Sequence, residues 1–473
     1  MGTISSAFSL ISGALDADQS GLSILANNVA NANTPGYTEE VPNWSENPPV
    51  EINGASYGSG VTETGATSLR DRVLEERLNQ QQQLASASSA RLTALNSVQA
   101  LFTPDSGSTS STAGDIGSDI TGFFNSFSSL EANPTNNALR QQVLSSAGTL
   151  AGDVSNAAAS LNEQRAALDQ DASGITSQVN SLTSAIAQLN QQIQSTSPGG
   201  DAGTLEDDRQ QDLSQLSKLI GINQITTENN GLSITTASGQ LLLSGGTSFQ
   251  LTTGSEGGVT HFYLGTTDVT SQLASGGGQL GGFLTARDQD LPGVMTSLDQ
   301  LAYGVTTQVN ALNNSGTDLD GTTGTAANPL YIFNQPASVA GSAANMSVIM
   351  TDPNQIAAAG LGLGTGDNSN ASAMANLANQ SIANNQTPVN YYSNFVSTLG
   401  SLVSSVQTEN TAQNASVTQL QTQNDALSSV NLNDEASQMS TLERSYQAAS
   451  QVFGILNTIM ASALNLGEQA TVS

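Results

Sequence analysis

The chain has no cysteine, one lysine (Lys218), one histidine and one tryptophan in 473 residues, and aromatic residues make up only 4 %. Without cysteine there are no disulfides, no thiolate metal sites and no thiol nucleophile. The single histidine lies in the strand-like run Val259-Thr260-His261-Phe262-Tyr263. No Ser-His-acid spacing and no second histidine accompany it, so His261 reads as an exposed strand residue, and no metal or cofactor is expected. Ten basic residues stand against 39 acidic ones, for a net charge of −29. Such a field repels phosphate backbones and anionic lipid, so neither nucleic acid nor a membrane surface is an expected partner. No run of about twenty apolar residues is present, so no membrane insertion is expected. The first basic residue is Arg70, so the start lacks the positive region of a cleaved signal. Met1 to Ser6 fits a loose myristoylation pattern, but its apolar spacing continues directly into a helical stripe.

Candidate chemistry is equally thin. Glu75-Glu76 and Asp207-Asp208 are adjacent carboxylate pairs; neighbours on a helix diverge by about 100°, so both pairs read as solvated faces. Asp318-Leu319-Asp320-Gly321 is similar to part of a calcium loop, but the completing glutamate is missing, so a tight turn is the preferred reading over cation binding at Asp318 and Asp320. The glycine-rich stretch Gly360 to Gly366 matches neither G-x-G-x-x-G nor the P-loop, and no basic residue falls between Arg287 and Arg444. No enzyme is expected.

What the chain does have is helical periodicity at both ends. Ile4, Phe8, Ile11, Leu15, Leu22, Leu25 and Val29 follow heptad steps, broken by Asp18, where the stripe is expected to drift toward solvent. Asn31, Asn33, Thr34, Pro35 and Gly36 then stop the helix: Pro35 disfavours helical geometry at Thr34, and Gly36 permits a turn. Leu432, Met439, Leu442, Tyr446, Ala449, Phe453, Leu456, Met460 and Ala463 repeat the pattern at the other end, with Glu435 at a polar seam position. Seven buried side chains yield roughly 10–20 kcal/mol gross, against about 30–60 kcal/mol of backbone entropy for some thirty residues, so each seam needs a partner.

Between the ends, Ser68 to Phe102 reads as helix through Leu74, Leu78, Leu84, Leu92 and Leu95, and Ile116 to Leu130 as a short helix. Val154 to Ile193 is a rod stopped by Ser197-Pro198-Gly199-Gly200. Short β-prone runs over 222–273 predict a strand-rich outer insert. The expected fold is mainly α with inserted β, discontinuous and nested. Residues 1–45 and 425–473 form a terminal domain whose helices pair as a coiled coil. Residues 46–221 and 274–424 form a mainly helical rod domain with an irregular Gly/Asn-rich segment at 313–385, and 222–273 form the insert.

The stretch Asn27 to Tyr37 (NNVANANTPGY), paired with Val430 to Ala436 and Glu443 to Ala449, resembles the terminal signatures of the bacterial flagellar axial proteins. Thr204 to Arg209, Leu213 to Gly221, Gly278 to Asp288, Leu298 to Ala302 and Gly316 to Gly321 are similar to the hook-associated branch of that family, at the hook–filament junction. The resemblance implies a structural adaptor, extracellular on the flagellum and exported by the flagellar type III apparatus without a cleaved signal. It implies terminal helices that build an inner tube wall. The implied partners are copies of itself in a ring, the hook protein, a second junction protein on the filament side, and an export chaperone at the C-terminal helix. The alternatives are a sibling hook or distal-rod protein, or a secreted coiled-coil surface adhesin.

Overall fold

The structure, a computed structural model, describes residues 2–52, 54–102, 115–196 and 201–469, and the side chains of these except 2–4, 52, 229 and 464–469. It is mainly helical with inserted antiparallel sheet. Helix α1 (Gly2–Asn31) leads into β1 (Glu40–Glu46), β2 (Val50–Ile52), β3 (Ala55–Tyr57) and β4 (Val61–Ser68), which pair β1 with β4 and β2 with β3. Helices α2 (Arg72–Ala100), α3 (Ile116–Ala132), α4 (Asn137–Thr196) and α5 (Thr204–Leu219) follow. Strands β5 (Ile222–Thr226), β6 (Leu232–Thr236), β7 (Leu241–Ser244) and β8 (Thr247–Ser248) form one sheet in chain order. Strands β9 (Leu251–Glu256), β10 (Val259–Leu264) and β11 (Thr267–Asp268) form another, with β10 central. Helices α6 (Thr270–Ala274), α7 (Gly278–Thr285), α8 (Leu291–Ser315), α9 (Ser369–Asn376), α10 (Pro388–Ser428) and α11 (Leu432–Gln469) complete the chain. No described helix is long and apolar enough to cross a membrane.

Two compact units result, each built from separate stretches: Met1–Gln83, Gln178–Leu251 and Asn414–Ser473 in one, Leu84–Ser177 and Thr252–Gln413 in the other. In the first unit, β6 alternates buried Leu232, Ile234 and Thr236 with partly exposed Ser233 and Thr235, the period of a strand with one covered face. The buried Asn190 of α4 donates to the Leu232 carbonyl at 2.9 Å and the Gly245 carbonyl at 2.8 Å, tying helix to sheet. Arginines converge on α5: Arg70 reaches Glu206 at 3.2 Å and also Asp207, and Arg72 reaches Glu206 at 3.0 Å. Arg209 stands 3.9 Å from the same Glu206 carboxylate. Burial alone would raise the Glu206 carboxyl, but Asn230 and the guanidinium groups of Arg70 and Arg72 hold it below the ordinary range.

The second unit is built on phenylalanine. Phe123 meets Phe124, Phe127 and Phe333 with ring centroids 5.2, 5.3 and 5.5 Å apart, and all four rings are buried. The segment Gly278 to Asp288 explains its own composition. A Cβ on Gly282 would lie 2.2 Å from the Ala87 carbonyl oxygen, and one on Gly281 would lie 3.0 Å from that of Leu273. Leu280 and Leu284 are fully buried beside these close approaches. Arg287, buried in turn, grips Asp288 through two 2.8 Å bonds, pairs with Asp169 and donates to the Thr260 carbonyl at 2.9 Å. A π-helical turn over Ala286–Asp290 then delivers Asp290 to Arg91, again through two 2.8 Å bonds.

Irregular chain after α8 is held by buried amides and carboxylates. Asn310 accepts from the Ile332 and Phe333 amides and donates to the Phe333 carbonyl at 2.9 Å. Asn313 does the same for Leu330 and Ala357, and Asp299 accepts from the Gly341 and Ala343 amides. Asp318 is buried, its carboxylate taking the Asp320 and Thr322 amides, while Gly321 supplies the left-handed φ of +79°; the segment is a tight turn.

Several expectations are corrected. Glu40–Glu46, placed at the end of the terminal paired-helix stretch, and Val61–Ser68, placed in the mainly helical rod stretch, pair as strands; the β-branched Val61, Thr62 and Thr64 carry that signal. The long rod begins at Asn137, well before Val154. Its stop at Ser197 to Gly200 lies outside the described residues. Leu84, counted in the apolar stripe of α2, is exposed, whereas Gln82, Gln83 and Ala85 are buried. Asp18 does not drift into solvent: it is buried, with Oδ2 lacking a hydrogen-bond partner. Glu75 and Asp207 are not solvated either. Because helix neighbours diverge, the first of each pair turns inward to Arg70 while Asp208 stays outside.

Phe127→Ala is expected to cost the second unit about 3–5 kcal/mol, read by chemical denaturation. Burial lifts the Glu75 carboxyl from 4.5 to about 7 against the opposing Arg70, and burial together with the neighbouring Asp153 lifts Asp119 from 3.8 to about 7. A carboxyl raised in the folded state binds its proton more tightly there, so these groups make stability fall as pH rises from about 4 to 7. Glu75→Gln and Asp119→Asn should each flatten the decline in Tm between about pH 4 and pH 7; an unchanged slope in both would disprove the assignment.

Candidate functional site

The two chain ends meet in the first unit. Phe8 of α1 and Phe453 of α11 stand edge to face with centroids 5.2 Å apart. Gly21 marks the closest approach: a Cβ there would fall 2.8 Å from Leu442 Cδ1 and 3.2 Å from Trp44 Cζ2. A glycine inside a helix costs about 1 kcal/mol relative to alanine, and here it admits both α11 and the β1 strand. Leu25 is buried, while Phe8, Ile11, Leu15, Leu22, Met439, Leu442, Phe453 and Leu456 are half-buried. Val29, Leu432, Tyr446 and Met460 are exposed, and the Ile4 side chain lies outside the described residues.

Where α1 ends, Asn28 is fully buried and uses its whole amide. Its Nδ2 donates to Glu435 Oε1 at 2.9 Å and to the Glu40 carbonyl at 2.8 Å. Its Oδ1 accepts from the Tyr37 hydroxyl at 2.7 Å and the Glu40 amide at 3.1 Å. One side chain therefore joins α1, the turn, β1 and α11. Glu435, read as a polar seam position, is this latch's other half; burial raises its carboxyl above the ordinary range, opposed by the Asn28 bond. Burial and the nearby Glu40 push the Tyr37 hydroxyl well above its ordinary value.

The turn follows the sequence closely. Thr34 N donates to the Asn31 carbonyl at 2.8 Å, Tyr37 N to the Thr34 carbonyl at 3.2 Å, and Gly36 adopts φ +84°. Asn33, Thr34, Pro35 and Gly36 are exposed. Beyond it, Thr38 binds Asp207 through its amide at 3.1 Å and its hydroxyl at 2.7 Å, and Glu39 N donates to the Ser428 carbonyl at 2.9 Å.

Periodicity reading missed a second apolar row on α11. Val452, Ile455 and Ile459 are 42 %, 60 % and 48 % exposed, beside the row that faces α1. Their steps of three and four were legible in the sequence. The Gly360 amide is taken by Asp367 Oδ1 at 2.8 Å, a carboxylate where a phosphate cradle needs free donors.

A family model described as the flagellar hook-associated protein FlgK helical domain matches residues 106–327, and one described as flagella basal body rod protein matches 11–38. Flagellar hook-associated protein 1 of Salmonella typhimurium is 24 % identical over 96 % of this chain and 98 % of its own length. That of Bacillus subtilis is 25 % identical over 96 % of both. The solved flagellar hook junction protein FlgK from Burkholderia pseudomallei shares the fold, with a TM-score of 0.64 at 19 % identity over 73 % of this chain and 99 % of that one. The shorter match covers the helix and turn of the latch, the longer one the arginine-anchored segments of the interior, and along nearly its whole length the chain is similar to the flagellar hook-associated proteins.

Proposed function

We propose that this chain is a structural adaptor at the hook–filament junction of the bacterial flagellum. One observation carries the reading: α11 has two adjacent apolar rows, and α1 covers only one. Fully burying Val452, Ile455 and Ile459 is worth about 1.5–3 kcal/mol each, so the open row favours assembly with neighbouring copies. In this reading α1 and α11 pair as a coiled coil and copies of the pair form a ring in the wall of the axial tube. The hook protein contacts one side and a second junction protein the filament side. The remaining stretches form a helical rod domain and a strand-rich insert. Export runs through the flagellar type III apparatus, with a chaperone covering the apolar face of α11 beforehand, and the assembled protein is extracellular.

Cells lacking the gene should carry complete hooks without filaments and release flagellin into the medium, seen by electron microscopy and immunoblot. Missing hooks would move the protein to the rod or hook; normal flagella would refute the reading. Ile455→Asp with Ile459→Asp should leave the monomer folded by circular dichroism yet give the same filament-less cells. Leu22→Asp and Phe453→Asp should also block incorporation. Asn28→Ala leaves buried polar groups unpaired at about 1–3 kcal/mol each, so hydrogen exchange should rise around Glu435 while the second unit is unchanged.

A further inference from the structure

The lone histidine acquires company that its sequence spacing did not reveal. Strand β10 presents His261 and Tyr263 to one face, and Tyr263 pairs with Asp268 of β11, which puts Asp268 beside His261. His261 Nδ1 and Asp268 Oδ2 are 2.7 Å apart. Glu256, at the end of β9, joins them: one ligating atom from each of Glu256, His261 and Asp268 lies within 4.8 Å of the other two. Asp268 is aimed by Thr270, whose amide and hydroxyl donate to Oδ1 at 2.8 and 2.6 Å, leaving Oδ2 for the cluster. The Thr270 hydroxyl in turn accepts from the Phe262 amide at 2.8 Å, so β10 and the start of α6 hold the carboxylate in place.

We propose that Glu256, His261 and Asp268 form a surface site for one borderline divalent cation of the zinc type. One imidazole nitrogen with two carboxylate oxygens suits Zn²⁺ or its transition-metal neighbours, whereas Ca²⁺ and Mg²⁺ prefer oxygen alone. The ion replaces the close His261–Asp268 contact with bonds from both groups, and water completes its shell. Three ligands from three strands would also pin the short β11 to β9 across the sheet.

Because the chain has one histidine, untagged protein labelled at histidine Cε1 gives a single resonance to follow. Titration with zinc chloride should move that resonance with one-to-one stoichiometry, and magnesium or calcium chloride should not. Glu256→Gln should weaken zinc about tenfold or more, and calorimetry of His261→Ala should show the same or greater loss. Asp268→Asn risks disturbing the strand end, so Glu256→Gln is the deciding variant. Unaltered affinity in Glu256→Gln would remove the third ligand from the site and overturn the proposal. So would binding that persists in His261→Ala at several ions per chain, the behaviour of a diffusely acidic surface, or no response to zinc.

Discussion

The two ends of the chain are held by a contact between residues 407 positions apart, the bond from Asn28 to Glu435. Apolar seams bring α1 and α11 together, but seams slide, since steps of three and four repeat along both helices. A buried amide cannot slide. Each register other than the observed one would leave Asn28, Glu435 or the Glu40 backbone without its partner, and unpaired buried groups are costly. The same side chain receives Tyr37 from the far side of the turn, so helix end, turn and strand are set in one step. The Gly21 notch works along with it by letting Leu442 and Trp44 approach the helix axis.

A second constraint comes from the scarcity of positive charge. With ten bases against 39 acids, most of the acidic surface has no ion-pair partner. Four arginine side chains are buried instead: Arg70 and Arg209 beside Glu206, Arg287 on Asp169 and Asp288, and Arg140 on the carbonyls of Pro134 and Ile356, while the more exposed Arg72 and Arg91 pair with Glu206 and Asp290. A guanidinium can satisfy several acceptors at fixed angles, which suits junctions where chain segments distant in sequence must meet. The segments that resemble the hook-associated proteins, around Glu206 and around Arg287, are these junctions.

The terminal helices, the stop at Asn31 to Gly36 and the strand-rich character of 222–273 were legible because each rests on local physics: helical period, proline and glycine geometry, and β-branched alternation. Strands in 40–68 were harder to read, since their burial is shallow and Pro42, Pro48 and Pro49 interrupt the pattern. Leu84 and Asp18 were misplaced for a shared reason. Residue polarity does not set direction there: packing on α2 favours small residues and glutamines, and packing on α1 leaves a carboxylate inside.

By itself, then, the sequence determined helical ends with apolar seams, the absence of thiol chemistry, and terminal and interior motifs that resemble those of the flagellar axial proteins. Periodicity and turn chemistry act within a few residues, and they survive any tertiary arrangement. Only the tertiary structure decided which polar residues lie inside, that Asn28 closes on Glu435, that Glu75 and Asp207 turn toward Arg70, and that His261 stands with Glu256 and Asp268. Those outcomes depend on distances between side chains far apart in the chain or on different strands, which no spacing along the sequence encodes.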